Sequence, residues 1–253
     1  MNSSSNNFQS YSIYYDLFYH DKDYKLESSY IAQTIKIFRP LAKQVIELGS
    51  GTGSHAGHLC KLGYIITGIE KSEQMIRLAK EKSIVGYTPL LGNIVNFDLQ
   101  SKFDCAISLF HVISYLTSNE EVISCFKGIA NHLNERGIFI FDVWYTSAVY
   151  SQQPATRVKR VANQEVTITR IAEPSLNFQQ NVVEINYEII IQNVINKQYE
   201  IFNETHLMRH FSTPEIELFA NMTGFNLLHS EEFLTKNVPS SETWGVCYIL
   251  QKK

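Results

Sequence analysis

A run of ten residues, QVIELGSGTG at positions 44–53, constrains the fold of this chain more than any other stretch. An apolar segment leads directly into three glycines at alternate positions, Gly49, Gly51 and Gly53, and a helical pattern begins at Ser54. Glycine adopts positive φ without strain and lets a ligand approach the backbone, because it has no Cβ. Backbone N–H groups at the start of the following helix favour an anionic group. The run therefore predicts a buried strand, a ligand-binding turn and a helix.

An acidic residue at the end of the next apolar run strengthens this interpretation. Glu70 ends the run YIITGIE, 21 residues after Gly49 (70 − 49 = 21). An acid about 20 residues beyond such a turn, at the tip of the second strand, typically binds the hydroxyls of a nucleoside ribose. A dinucleotide site has the spacing G-x-G-x-x-G, whereas the sixth position here is Ser54, which argues against NAD. For the glycines taken alone, a tight turn without a ligand is the alternative.

The composition indicates a globular protein that binds small ligands. The chain has 253 residues and a net charge of −3, so it offers no electrostatic argument for nucleic acid or an anionic membrane as a partner. No apolar run approaches the length of a membrane span, and the first residues lack the pattern of a signal peptide. Four cysteines without C-x-x-C spacing predict a reduced, cytoplasmic protein and no metal site.

The periodicity of the chain divides it into four parts. Residues 1–40 contain an aromatic stretch, residues 11–24, that predicts a helix packed on the main domain, and then a second helix. Residues 41–150 alternate buried strands with amphipathic helices, which is typical of an α/β sheet. Residues 151–211 change to a period of two, which predicts an inserted antiparallel sheet. Residues 212–253 predict a helix and two closing strands.

Polar and aromatic residues follow the fourth and fifth predicted strands. His111 and Tyr115 come after the fourth strand, at the carboxyl end where ligands of open α/β sheets bind. The fifth strand ends in Asp142, Trp144 and Tyr145. We expect these residues to face a pocket for a polar acceptor. A purely structural role is the alternative for each of them.

The segment E-L-G-S-G-T-G resembles motif I of the class I S-adenosylmethionine (SAM) methyltransferases. The resemblance implies that the glycine turn passes under the methionine part of SAM, that Glu70 holds the ribose, and that S-adenosylhomocysteine is the product. It also implies aromatic contacts to the sulfonium, through cation–π attraction. Asn93 stands where the family commonly has an aspartate that binds adenine. The cofactor-binding residues implied are Tyr15, Tyr24, Glu47, Gly49, Gly51, Gly53, His55, Glu70, Lys71, Met75, Asn93, Ile94, Leu109 and Phe110.

The whole chain is similar to the N-methyltransferases that act on dTDP-linked amino sugars. The matching residues are Tyr15-Asp16-Leu17, Lys22-Asp23-Tyr24, Gly49 to Gly53, Glu70, Phe110 to Leu116 and Trp244-Gly245. The resemblance implies a Rossmann-like, mostly parallel sheet of seven strands with the last strand antiparallel, and a β insertion after the fifth strand. It also implies an acceptor linked to dTDP or UDP and a possible homodimer through the insertion.

The chemistry of an amine acceptor suggests roles for the residues of this pocket, since the amine must be neutral to attack. Tyr15 and Tyr115 are expected to orient the acceptor, and His111 is expected to accept its proton. His206, His210 and Arg209 are expected to form a polar cluster in the insertion. A small-molecule O- or N-methyltransferase with another kind of acceptor is the alternative function, and a SAM-binding protein without catalysis is a third. The acceptor-binding residues implied are Asp142, Trp144, Tyr145, His206, Arg209 and Trp244.

Overall fold

Buried strands alternate with helices through the first part of the chain, as the sequence predicts. The computed structural model describes residues 14–253. Up to residue 152 the elements are α1 Tyr15–Phe18, α2 Tyr24–Phe38, β1 Gln44–Leu48, α3 Ser54–Lys61, β2 Ile65–Glu70, α4 Glu73–Glu81, β3 Tyr87–Leu91, β4 Phe103–Ser108, a 3-10 helix Val112–Tyr115, α5 Asn119–His132, β5 Leu133–Tyr145 and α6 Thr146–Gln152. The later elements are β6 Arg157–Ala162, β7 Val166–Asn177, β8 Val182–Asn193, β9 Tyr199–Phe211, α7 Thr213–Met222, β10 Phe225–Glu232 and β11 Gly245–Lys252.

The central sheet has the strand order β3-β2-β1-β4-β5-β11-β10. The first five strands pair in parallel, whereas β11 is antiparallel to both of its neighbours, β5 and β10. The predicted fold class, a mostly parallel Rossmann-like sheet with an antiparallel last strand, is confirmed. In such a sheet the carboxyl ends of β1, β2, β4 and β5 meet at one edge, which is where a ligand binds.

Four antiparallel strands, β6 to β9, form the insertion after the fifth strand. The insertion is joined to the central sheet through the end of β5, where Trp144 pairs with His210 and Tyr145 pairs with Phe211. On its other side Trp144 pairs with Gly245 of β11. The insertion therefore stands at the carboxyl end of β5, next to the ligand edge of the central sheet.

The N-terminal aromatic segment is less helical than predicted. Residues 11–13 lie outside the described residues, and the rest form the four-residue helix α1 and a turn instead of one helix. A new helix begins at Tyr24 because the Asp23 carboxylate caps it, accepting a hydrogen bond from the Leu26 amide at 2.8 Å. Phe18 of α1 is fully buried against the insertion. The segment therefore bridges the insertion and the central domain.

Apolar side chains cover both faces of the central sheet. Phe126 of α5 packs edge-on against Phe139 and Phe141 of β5 on one face, and Ile31 of α2 is buried with Val45 of β1 on the other. Helix α5 begins with a capping box, in which Ser118 and Glu121 exchange hydrogen bonds at the helix start. No helix among residues 14–253 is long and apolar enough to cross a membrane.

Candidate active site

The glycine turn after β1 has one open position between two crowded ones. All three glycines have positive φ, at 69°, 54° and 76°. A Cβ on Gly49 would lie 2.6 Å from Val112, and a Cβ on Gly53 would lie 2.6 Å from Tyr87. A Cβ on Gly51 would meet nothing closer than 3.8 Å. Packing therefore requires the outer glycines, whereas Gly51 leaves backbone exposed to a ligand.

Two buried carboxylates flank this turn. Glu70 accepts hydrogen bonds from the backbone amides of Gly51 at 3.1 Å and Ser72 at 2.8 Å, and burial raises its pKa. Glu47 is only 2% exposed, and its Oε2 has no hydrogen-bond partner among the described residues. Burial and the nearby charge of Glu70 raise the pKa of Glu47 to about 8. A buried acceptor without a partner is costly unless a ligand satisfies it.

An ionic chain links helix α2 to these carboxylates. Lys22 pairs with Glu27, whose other oxygen lies 2.7 Å from Nε2 of His55. Nδ1 of His55 faces Glu47 at 3.8 Å, and the ring of Tyr24 packs edge-on against His55. Burial alone would raise the pKa of Glu27, but His55 and Lys22 outweigh burial and lower it. The sequence predicts Tyr24, Glu47 and His55 as site residues. It names Lys22 only within the family resemblance, without a role, and it misses Glu27.

Helix α1 is tied to the glycine turn through Asp16. The hydroxyl of Thr52 donates to Asp16 at 2.7 Å, and Nζ of Lys82 lies 2.8 Å from the same carboxylate. Tyr15, next in sequence, packs with its ring centroid 4.7 Å from that of Tyr19. Thr52 occupies a variable position of the glycine motif and Lys82 lies beyond it, so no sequence pattern identified them.

The residues expected around an adenine lie at the ends of β2 and β3. Lys71 and Asn93 are exposed, and Met75 is buried. The side-chain oxygen of Asn93 accepts a hydrogen bond from the Val95 amide at 3.0 Å, which fixes the loop after β3. Ile94 is half-buried on the core. A cavity of about 250 Å³ opens here, lined by Ile69, Leu90, Leu91, Gly92, Asn93, Asn96, Phe97, Asp98 and Leu99.

His111 has a strained backbone conformation at the end of β4 and lies against a buried carboxylate. Phe110 and His111 both have positive φ, at 65° and 61°, a conformation that costs about 1–2 kcal/mol for each residue that is not glycine. Nδ1 of His111 lies 2.7 Å from Oδ2 of Asp142. The His111 backbone amide donates to the same oxygen at 3.2 Å. Trp144 packs edge-on against the ring, and a Cβ on Gly245 would lie 3.2 Å from it.

Asp142 lies behind His111 and is 1% exposed. Burial alone would raise its pKa, but the charge and hydrogen bonding of His111 outweigh burial and hold the pKa below the usual value. The sequence placed Asp142 in contact with an acceptor, whereas the structure pairs it with His111. Asp142 and Trp144 lie on the same face of β5, because side chains alternate along a strand, and both contact His111. Tyr145 faces the opposite side and packs on the core beneath α5 and α7.

The polar cluster expected in the insertion divides between the two faces of β9. His206 points toward the 3-10 helix, where its Nδ1 lies 2.8 Å from the Tyr115 hydroxyl. Arg209, three residues later, is on the other face, bonded to Asn119 at 2.8 Å and paired with Glu215. His210 is fully buried, and burial together with Arg209 lowers its pKa to about 4. The predicted cluster of these three residues does not form.

The remaining predicted residues are distributed between the site and the core. Trp244 packs edge-on against Trp144, and its indole N–H donates to Gln152 at 2.7 Å. Phe110 lies beneath Nζ of Lys22, 4.2 Å from its ring centroid. Leu109 is buried in the core. The structure therefore brings His111, Tyr115 and the two tryptophans together near the glycine turn.

Comparison with known proteins agrees with this geometry. Residues 45–137 match the family model described as a methyltransferase domain. The dTDP-3-amino-3,4,6-trideoxy-α-D-glucopyranose N,N-dimethyltransferase of Streptomyces venezuelae is 27% identical over 86% of this chain and 90% of its own. A Geobacillus sp. (strain WCH70) protein named as a methyltransferase, with no acceptor in its name, is 24% identical over 97% of this chain and 99% of its own. The crystal structure of a SAM-dependent methyltransferase from Clostridium acetobutylicum superposes with a TM-score of 0.81 at 22% identity, covering 98% of this chain and 99% of its own.

Proposed function

This chain belongs to the class I SAM-dependent methyltransferases, and we propose that it methylates the amino group of a nucleotide-linked deoxy-amino sugar. The observation that carries the proposal is the pair of His111 and Asp142, held 2.7 Å apart where β4 and β5 end. Such a pair suits an amine, which must lose a proton to react. The dTDP-amino-sugar methyltransferase that aligns with 86% of the chain supports the same acceptor class.

The residues around the glycine turn fit SAM as the methyl donor. When bound, SAM supplies a methyl group on a positively charged sulfur, which needs no further activation. The buried Oε2 of Glu47, which has no partner among the described residues, suits the ammonium of the methionine part, and Glu70 suits the ribose hydroxyls. Gly51 leaves room for the ligand to contact the backbone. We assign supporting contacts to Tyr15, Tyr24, His55, Lys71, Met75, Asn93, Ile94, Leu109 and Phe110.

We assign the proton-accepting role to His111 and a positioning role to Asp142. The negative charge of Asp142 stabilises the imidazolium that forms when His111 takes a proton from the acceptor's ammonium. Tyr15 and Tyr115 orient the amino nitrogen. Alignment of two reacting groups can lower a barrier by about 7–11 kcal/mol, so orientation is the main contribution of the chain.

The insertion, residues 151–211, is assigned to the acceptor, and residues 41–150 to the cofactor. Trp144, Trp244 and His206 border the acceptor, and Tyr145 and Arg209 support it from the opposite strand faces. Basic side chains of the insertion suit a diphosphate. Lys159 of β6 is directly opposite Arg170 of β7, although Lys159 already pairs with Asp21 at 2.8 Å.

Two further features belong to this proposal. The outer face of the insertion exposes apolar side chains, among them Val158, Tyr199 and Ile201, which suit a homodimer contact. The four cysteines are all free thiols, and three of them are buried, which is consistent with a cytoplasmic protein.

Two measurements test the acceptor class. Titration calorimetry with dTDP is expected to show binding, and incubation with SAM and dTDP-3-amino-3,6-dideoxy-α-D-glucopyranose is expected to release S-adenosylhomocysteine. The product should carry its methyl groups on nitrogen, as shown by mass spectrometry. An enzyme that binds SAM but neither binds dTDP nor methylates an amino sugar would contradict the proposal.

A small-molecule O- or N-methyltransferase with another acceptor is the second candidate. It is favoured by the Geobacillus relative, which matches 97% of this chain and whose name carries no acceptor. A panel of amines and phenols without a nucleotide separates the two functions. Turnover with a member of that panel in the absence of dTDP binding would support the second candidate.

A further inference from the structure

A buried chain of three side chains connects the 3-10 helix to the insertion. The hydroxyl oxygen of Tyr115 lies 2.8 Å from Nδ1 of His206, and Nε2 of His206 lies 3.2 Å from Oε2 of Glu204. His206 is 2% exposed and Glu204 is 8% exposed. Tyr115 and His206 are 91 residues apart in the sequence. The chain of contacts therefore exists only when the insertion packs on the central domain.

The donor and acceptor in each hydrogen bond follow from what these groups can donate. A carboxylate only accepts, so the hydrogen between Glu204 and His206 belongs to Nε2. In a neutral imidazole the other nitrogen is then an acceptor, so Tyr115 donates its O–H to Nδ1 of His206. A hydroxyl has a single hydrogen. Once it is donated to His206, the Tyr115 oxygen can engage an acceptor molecule only by accepting from it.

Tyr115 and His111 share Trp144 as a neighbour. Tyr115 packs in one apolar cluster with Trp144 and Trp244. Trp144 also packs edge-on against His111, with ring centroids 6.3 Å apart. Tyr115 therefore belongs to the group of aromatic side chains around the proposed acceptor site. The charged groups around His206 include Glu204 on its own strand and Arg170, whose guanidinium lies 4.8 Å above the Tyr187 ring that packs on His206.

We propose that Glu204 and His206 make Tyr115 a second proton acceptor for the amine, an inference that rests on the proposed function. When the amino nitrogen has gained its methyl group it carries a positive charge, and the electron pair of the broken S–CH₃ bond stays on sulfur. A proton of that nitrogen passes to the Tyr115 oxygen, while the hydrogen of Tyr115 passes to Nδ1 of His206. His206 becomes an imidazolium beside the Glu204 carboxylate, so charge is conserved.

Two proton acceptors suit an acceptor that is methylated more than once. Each N-methylation leaves one proton to be removed before the nitrogen can react again. His111 takes the proton that a protonated amine brings into the site, and Tyr115 takes the one released after transfer. Tyr115 is then a catalytic residue, and His206 and Glu204 are positioning residues that act through it.

The hydrogen positions are tested without any ligand. Long-range ¹H–¹⁵N spectra of the ¹⁵N-labelled full-length protein at pH 8 report the tautomer of each histidine, and the signal that His206→Asn removes belongs to His206. The expected result is a hydrogen on Nε2 and none on Nδ1. A hydrogen on Nδ1 of neutral His206 would overturn the proposal, because the Tyr115 hydroxyl could then not donate to that nitrogen.

The proton transfer is tested by kinetics with SAM and dTDP-3-amino-3,6-dideoxy-α-D-glucopyranose. Asparagine at position 206 can still accept from the Tyr115 hydroxyl but cannot take up a proton. His206→Asn should therefore lower kcat by about 100-fold while the KM for the amino sugar changes less than about threefold. Tyr115→Phe should lower kcat at least as much.

Tyr187→Phe is the matched control, because Tyr187 packs edge-on against His206 but lies outside the chain of hydrogen bonds. It should keep kcat within about threefold of the wild type, since it removes no proton acceptor. A His206→Asn protein with near-normal kcat across pH 6–9 would overturn the relay, and His206→Gln repeats the test if the asparagine variant unfolds. If the wild type methylates no amino sugar, the proposed function fails, and the tautomer spectrum decides the relay alone.

Discussion

The proposed cofactor side and the proposed acceptor side of this site are built differently. On the cofactor side, one stretch from Glu47 to Glu70 supplies the glycine turn and both buried carboxylates. On the acceptor side, His111, Trp144 and His206 come from three separate segments, the loop after β4, the end of β5 and the insertion strand β9. The two sides meet where Val112 packs against Gly49. We therefore expect cofactor binding and methyl transfer to respond to different substitutions.

The largest expected effect is that of His111→Ala on the acceptor side. Loss of a positioned proton acceptor should lower kcat by about 10²–10⁴-fold. The dissociation constant for SAM should change little, because the contacts proposed for SAM lie around the glycine turn. Steady-state kinetics and calorimetry measure the two quantities. His229→Ala removes a half-exposed histidine far along the chain and should leave both unchanged.

Near-normal turnover of His111→Ala across the pH range would remove the proton-accepting role. Orientation of the acceptor would then be the only contribution of this segment. Asp142→Asn refines the result, since it keeps the shape of the buried side chain but removes the charge beside Nδ1 of His111. A loss of kcat that is smaller than that of His111→Ala is expected.

On the cofactor side, Glu70→Gln is expected to weaken SAM binding and to leave kcat unchanged, the reverse of His111→Ala. The amides of Gly51 and Ser72 donate to different oxygens of Glu70, so the single oxygen of glutamine keeps only one of these bonds and the charge is lost. Hydrogen bonds to charged groups contribute about 1.5–3 kcal/mol each. The affinity for SAM should fall about 10–100-fold, whereas kcat at saturating SAM should stay near the wild-type value. Calorimetry and saturation kinetics measure these, with the exposed Glu73→Gln as the control. A fall in kcat with unchanged affinity would show that the two sides are not separable.

The sequence predicts the arrangement of the cofactor side better than that of the acceptor side. The spacing of Gly49, Gly51, Gly53 and Glu70 is local, so it indicates strand, turn and ribose-binding acid without knowledge of the fold. The contact between Tyr115 and His206 spans 91 residues and depends on how the insertion docks. Sequence reasoning identified both residues but could not pair them. It also could not see that β9 separates Arg209 from His206.

The sequence does not show which residues contact the predicted site residues, for a related reason. The position of His111 after β4 identifies it as a site residue. Nothing local shows that the ends of β4 and β5 bring Asp142 to it, so the sequence predicts Asp142 as a separate binding residue. Lys22 is named only within the family resemblance and Glu27 is not identified, because ion pairs leave no periodic signal. Aromatic density predicts an N-terminal helix that is too long, whereas the Asp23 cap begins a new helix at Tyr24.

For Glu47 the expected effect is a pH dependence of the free energy of unfolding. Its pKa of about 8 in the folded protein lies above the usual glutamate value of 4.5, so the folded state holds a proton that the unfolded state releases. The stabilisation from this group is complete below the unfolded value and is lost as the pH rises through 8. Between pH 5 and pH 8 the wild type should lose about 3–4 kcal/mol relative to Glu47→Gln.

Thermal unfolding of both proteins at pH 5, 6.5 and 8 measures this difference. SAM should reduce it, because an ammonium beside Glu47 stabilises the ionised carboxylate. If the melting temperatures of the two proteins changed equally with pH, Glu47 would be ionised in the ligand-free protein. Oε2 of Glu47 would then require a partner other than the ammonium of SAM.

The smallest expected effect tests helix α1, which contacts the glycine turn. Asp16 holds helix α1 to Thr52 of the glycine turn, but its side chain is 48% exposed, and exposed ion pairs contribute at most about 1 kcal/mol. Asp16→Asn should therefore speed SAM dissociation only about two- to fivefold, with little change in melting temperature. Asp21→Asn, which breaks the exposed pair with Lys159 at the other end of the same segment, is the control. Stopped-flow measurement of SAM release separates the two variants. If Asp16→Asn instead lowered kcat with unchanged SAM release, α1 would serve the acceptor through Tyr15, and the boundary between the two sides would lie at the glycine turn itself.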